Sequence, residues 1–298
     1  MRGGGVVPEM YTRAAEKHYP PEKVRRYDVT VLDKTNDIAT SVSVIVYGTL
    51  HDTAKRFELR LSRYLSELLP MLHALTPHRR RHVTVEYFPL GKRKRLPAKR
   101  GASIDAGHVN SGFCYVHSRD DGDVNIVIYR REEFFKVLAH ELIHLYDAIP
   151  RDINTTRTCQ TAFAGATEQD VVEAQTELVA VVLNSLVIHR LSGRSVRDLL
   201  SCEFAWCREV TTRLASHFGG PKDCSKRSGC DLHRASSWWR SSTHSFWYYM
   251  LRCGLLTRLG EELAIPNTKN LDRCVHTRRI NLNGLRMTIN DIENVKLT

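Results

Sequence analysis

The sequence predicts an α+β protein, and three observations carry that reading. Stretches rich in Val, Ile, Thr and Tyr come early, and long segments of helical periodicity come late. With 298 residues, 42% of them hydrophobic, the chain is long enough to bury a sizeable core. No internal repeat or long low-complexity segment diverts it toward a solenoid or a disordered class.

The elements follow in order. Residues 1–25 read as irregular, with Pro20-Pro21 as a break. Residues 26–298 read as one domain, α/β over about 26–150 and mostly helical over about 151–298. Strands are expected at 27–32 and 41–47, a helix at about 53–75 with leucines on its apolar face, and a strand at 82–88. A basic loop follows, then a turn-rich segment, His108-Val109-Asn110-Ser111-Gly112-Phe113. Asp120-Asp121-Gly122-Asp123 marks a turn before a short strand at 124–129. A helix is expected over about 131–147, stopped by Pro150. Thr167 and Asp170 form a capping-box pattern for a helix over about 168–190. Further helices are expected at about 196–217 and 236–263.

Composition narrows the class. Eight cysteines without a CxxC pair, behind an N-terminus that lacks a signal-type apolar run, read as reduced thiols. Cys224, Cys230 and His233 are too loosely spaced to make a strong structural metal motif. No apolar run of membrane-spanning length is read, so the expectation is a soluble, intracellular protein. The net charge is +11, with a basic tract at Gly91-Lys92-Arg93-Lys94-Arg95-Leu96-Pro97-Ala98-Lys99-Arg100. Such a tract suits nucleic acid, another acidic partner or nuclear import; the alternative is a solvated basic loop. No aromatic-interleaved nucleic-acid motif accompanies it.

The chemistry-bearing stretch is His140-Glu141-Leu142-Ile143-His144. On a helix, residues four apart lie one turn above each other, so both imidazoles can reach one Zn²⁺ with Glu141 beside them. Such a pentapeptide arises by chance roughly once in thirty chains of this composition, so context must support it. No Pro or Gly interrupts residues 131–149, so the segment can stay helical. The alternative is a wet helix stripe, because Glu133, Lys136, His140, His144 and Asp147 share one face.

The later helix supplies a third candidate ligand. It is apolar on most sides, yet it carries Glu173 and Glu177 four residues apart. Two buried carboxylates side by side repel and lose hydration, a conflict that a cation would remove. Glu173 is therefore read as the third zinc ligand, and Glu177 as the carboxylate that holds the Nδ1–H of a ligand histidine. The alternative pairs both with arginines such as Arg190 or Arg197.

With this ligand pattern the chain resembles the gluzincin branch of the zincin metallopeptidases. It is also similar to a family of uncharacterised metallopeptidase-like proteins of large DNA viruses. The similarity runs over about residues 96–258. It is carried by His108–Phe113, Tyr129-Arg130-Arg131-Glu132-Glu133-Phe134-Phe135-Lys136-Val137, Glu173-Ala174-Gln175-Thr176-Glu177 and Ser242-Thr243-His244-Ser245-Phe246-Trp247-Tyr248-Tyr249. Gln175 and His244 depart from the family, which more often has an aromatic residue and Asn there.

The resemblance implies a zincin-like fold, a small mixed sheet with an edge strand beside the HExxH helix. It implies zinc on His140, His144 and Glu173, with Glu177 close by. The strand at 124–129 is expected to serve as that edge. A viral setting would put the protein in the host cytoplasm or nucleus.

The expected function is peptide hydrolysis by zinc-activated water, with Glu141 as general base. One of Tyr248, Tyr249 and His244 or, more weakly, Tyr146 is a candidate for stabilising the oxyanion, against the alternative of a plain aromatic core. Asn110 and Ser111 are candidates for contacting the substrate backbone. Two other functions stay open: a protease recruited to nucleic acid by the basic tract, and a non-catalytic structural or assembly protein that keeps the fold.

Overall fold

In the computed structural model, the described residues are 23–33, 38–50, 53–76, 80–91, 94–115, 125–131, 133–149, 167–219 and 249–256. They form an α+β arrangement around one five-stranded mixed sheet. The strands are β1 (Val24–Asp33), β2 (Ile38–Tyr47), β3 (His82–Tyr87), β4 (Gly112–Cys114) and β5 (Ile126–Ile128), in the spatial order β1-β2-β3-β5-β4. The helices are α1 (Ala54–Leu75), α2 (Ala106–Val109), α3 (Phe134–Leu145), α4 (Glu168–Ser192), α5 (Val196–His217) and α6 (249–256).

The sheet mixes both pairings. β1 and β2 run antiparallel, with Val29 opposite Val42, while β2–β3 and β3–β5 are parallel. α1 makes the crossover from β2 to β3, which a parallel pair requires. β-branched residues alternate along β1 and β2, so Val29, Val31, Val42, Val44 and Val46 turn to one face. There they meet Phe57, Leu61, Leu65, Leu68 and Leu72 of α1 and Phe134, Leu138 and Leu142 of α3 in the main core. Tyr64 braces α1 to both site helices, because its hydroxyl lies 3.0 Å from the Phe135 carbonyl and 2.9 Å from Asn184 Oδ1. The opposite face carries a smaller cluster, Phe88, Val127 and Tyr129 with Tyr47, Phe113 and Tyr115.

Three expectations are corrected. The strand expected as the edge beside α3 is an inner one, since Ile126–Ile128 pairs with β3 on one side and β4 on the other. Its unbroken Ile-Val-Ile run, buried on both faces, suits that place. The edge strand is β4, from the segment read as turn-rich. Second, α3 ends at Leu145 rather than near 147; Asp147 takes a φ of 45°, a left-handed turn that diverts the chain. Third, α4 is long and apolar enough to cross a bilayer, against the expectation that no such run exists, yet most of that stretch is buried inside the protein.

α4 begins on the expected capping box. The Thr167 hydroxyl accepts from the Asp170 N–H at 3.2 Å, and the Asp170 carboxylate accepts from the Thr167 N–H at 2.8 Å. It ends on Gly193 at φ 71°. α5 spans the expected residues, with Ser195 as its N-cap. Of the helix expected at 236–263, the described part is 249–256.

Candidate metal centre

α3 packs along α4, and each helix contributes one end of the site. His140 and His144 stand one turn apart on α3 and present their Nε2 atoms 3.1 Å from each other. From α4, Glu173 brings Oε2 to 3.3 Å from His144 Nε2 and 3.5 Å from His140 Nε2. A zinc bonded tetrahedrally at ~2.05 Å separates its ligand atoms by about 3.3 Å. The observed triangle has that size, so the donor set fits zinc without rearrangement. The three side chains are 12%, 14% and 23% exposed, so each is mostly but not wholly buried.

Glu141 lies next to this triangle and is buried. Burial raises its pKa, the two histidines oppose the rise, and Glu173 and Glu177 add to it. β4 lies over Glu141 because Gly112 has no side chain. A Cβ there would sit 2.8 Å from the Val127 carbonyl oxygen, 2.8 Å from Val137 Cγ1 and 3.4 Å from Glu141 Oε1. Two residues on lies the half-buried Cys114, whose thiol pKa is raised by burial first, then by Glu141 and Glu173.

Glu177 supports the site from behind. Its Oε2 is 3.0 Å from His140 Nδ1, so the imidazole directs Nε2 at the triangle. Its Oε1 meets Lys136 Nζ at 2.5 Å and Arg252 Nη1 at 2.6 Å. Burial alone would raise the pKa of Glu177, but Lys136, His140 and Arg252 outweigh it and hold the carboxyl well below its usual range. Glu173 is held low too, by hydrogen bonds from both histidines against its burial. Burial likewise opposes charge on His140, yet bonds to Glu173 and Glu177 push its pKa up to about 10.

The wet-stripe alternative does not match this geometry. Glu133 and Lys136 are 6% and 4% exposed and the two histidines are mostly buried, so the stripe is a polar seam inside the protein until Asp147, which is exposed. The arginine pairing also differs from the one considered: Arg190 bonds Glu67 on α1, and Glu177 takes Lys136 and Arg252 instead. Lys136 was visible in the stripe, four residues before His140. Nothing in the sequence pattern marks Arg252 or Cys114.

The other candidates are placed as follows. Ser111 is buried and donates to Glu133 Oε2 at 3.1 Å, so its hydroxyl turns toward the start of α3. Asn110 is exposed, and its carbonyl accepts from the buried Arg130 at 2.7 Å, which ties the loop down. Tyr146 is fully buried, with its hydroxyl 3.4 Å from the Arg80 carbonyl. Tyr248, His244, Cys224, Cys230 and His233 lie outside the described residues, as do Lys92 and Arg93. Within the basic tract, Lys94 pairs with Glu133 at 2.6 Å and Arg100 donates to the Ser216 carbonyl. Compared with protein-family models, curated proteins and solved structures, the chain gives no significant match.

Proposed function

We propose that this protein is a zinc-dependent metallopeptidase. The observation that carries the proposal is the triangle of His140 Nε2, His144 Nε2 and Glu173 Oε2, with edges of 3.1, 3.3 and 3.5 Å, beside a buried carboxylate. Zinc held there would lower the pKa of a water at its remaining position and polarise a scissile carbonyl. Glu141 would take the proton of that water and return it to the leaving amine.

β4 would align the substrate. Tyr115 donates to the Asn125 carbonyl and Tyr129 to that of Ser111, so alternate residues of the strand face β5. The backbone groups of Gly112 and Cys114 then point to the open edge, where an extended peptide can add as a strand.

A second reading has its own observation. His140, Lys136 and Arg252 already balance Glu173 and Glu177, and a non-catalytic assembly protein could use the seam as a buried clamp. Recruitment to nucleic acid would rely on the rest of the basic tract, since Lys94 and Arg100 are engaged internally.

Metal analysis separates the readings. About one zinc per chain, lost in His144→Ala, supports the metallopeptidase. Glu141→Gln should then retain zinc and abolish cleavage of an unstructured protein substrate. No zinc in the folded wild type after zinc is supplied would refute the proposal.

A further inference from the structure

Lys136 and Arg252 have no role in the reading above, yet they are among the most buried charges among the described residues, at 4% and 0% exposure. Isolated cations there would be costly, and both direct a nitrogen at the same atom, Glu177 Oε1. They come from different elements. Lys136 stands one turn before His140 on α3, while Arg252 reaches in from α6, 75 residues beyond Glu177. Trp206 of α5 lies against both, 5.3 Å from Lys136 Nζ and 4.9 Å from Arg252 Cζ, and holds them by cation–π contact. Of the other nearby carboxylates, Glu133 is engaged by Lys94 and Glu203 has its pKa raised, chiefly by burial, so Glu177 is the anion the two cations share.

From this geometry we infer that Lys136 and Arg252 are positioning residues for the metal centre: together they fix the Glu177 carboxylate so that its second oxygen orients His140. The inference rests on the zinc reading above and extends it to two residues that touch no ligand atom. A carboxylate with one oxygen between two cations and the other on an imidazole N–H cannot swing. Removing either cation frees it to rotate and leaves His140 Nδ1 poorly held. Partners of this kind typically contribute ten- to a hundredfold to metal affinity.

The test measures zinc affinity by competition with a chromophoric chelator, together with the visible spectrum of the cobalt-substituted protein. Lys136→Met and Arg252→Met should each weaken zinc binding by about ten- to a hundredfold and alter the cobalt spectrum. In a Glu177→Gln background, neither substitution should weaken zinc binding further, because the group through which both act is gone. Should the methionine variants fold poorly, Arg252→Lys keeps the cation and should keep near wild-type affinity.

Equal losses with and without Glu177, or no loss at all, would overturn the positioning role while leaving the zinc site intact. A wild type that takes up no zinc would instead overturn the zinc reading itself, and the inference with it.

Discussion

Replacing Gly112 with alanine puts a methyl group where the structure has no room. The new Cβ would lie 2.8 Å from the Val127 carbonyl oxygen, about half an ångström inside ordinary contact. It would lie equally close to Val137 Cγ1. That neighbour yields poorly, because a valine on a helix has essentially one χ1 rotamer. The strand must therefore lift off β5 and α3, and β4 has three residues with which to resist.

Overpacking of this kind costs about 1–3 kcal/mol, and the stiffer unfolded chain returns about 0.4–1. The net expectation is a loss of about 1–2 kcal/mol, read as a lower urea midpoint with an unchanged slope. Zinc uptake should persist, because the ligands sit on α3 and α4. Peptide cleavage should fall at least about tenfold, since the displaced strand is both the proposed substrate edge and the cover of Glu141. A Gly112→Ala protein with the wild-type midpoint and turnover would refute the packing of β4 on α3.

Two further predictions concern the ends of the site helices. Glu133 is buried; its burial is outweighed by Lys94 and Lys136, and its pKa falls from 4.5 to about 2. A lowered folded-state value stabilises above the unfolded pKa and is lost as pH falls through the folded one, so this contribution of about 3 kcal/mol should fade between about pH 5 and 2. Denaturation of wild type and Glu133→Gln over that range should show the stability gap closing; a gap independent of pH would contradict the assignment. Thr167→Ala removes the hydroxyl that caps α4 and should lower unfolding stability by about 1 kcal/mol in the same assay. An unchanged value would mean that the cap contributes nothing to the folded protein.

Among the described residues, the helices α4 and α5 were legible. The bounds of α5 and the capping box of α4 follow from local rules that act over a few residues, and the HExxH spacing placed both histidines on one face. The strand β4 was missed because a glycine in 112–114 looks like a turn, when it serves a close approach that only the assembled fold reveals. The polar stripe of α3 looked solvated for a related reason. Its counter-charges come from Lys94, which pairs with Glu133, and from Glu177, 41 residues beyond Lys136, and no periodicity links them. Exposed arginines such as Arg190 were the obvious partners in sequence, but α4 turns that residue toward α1.

The lysine, the arginine and the carboxylate between them also constrain how this site can change over generations. Loss of Glu177 alone strands two buried cations, and loss of either cation strands part of a buried anion, at a cost of several kcal/mol in each case. Single steps away from the trio thus pass through less stable intermediates. If the proposed metal were given up, His144, which no such ion pair with Lys136 or Arg252 backs, could be discarded more readily than the support behind His140. The trio should outlast the chemistry, so in diverged copies it would mark ancestry better than the histidines do.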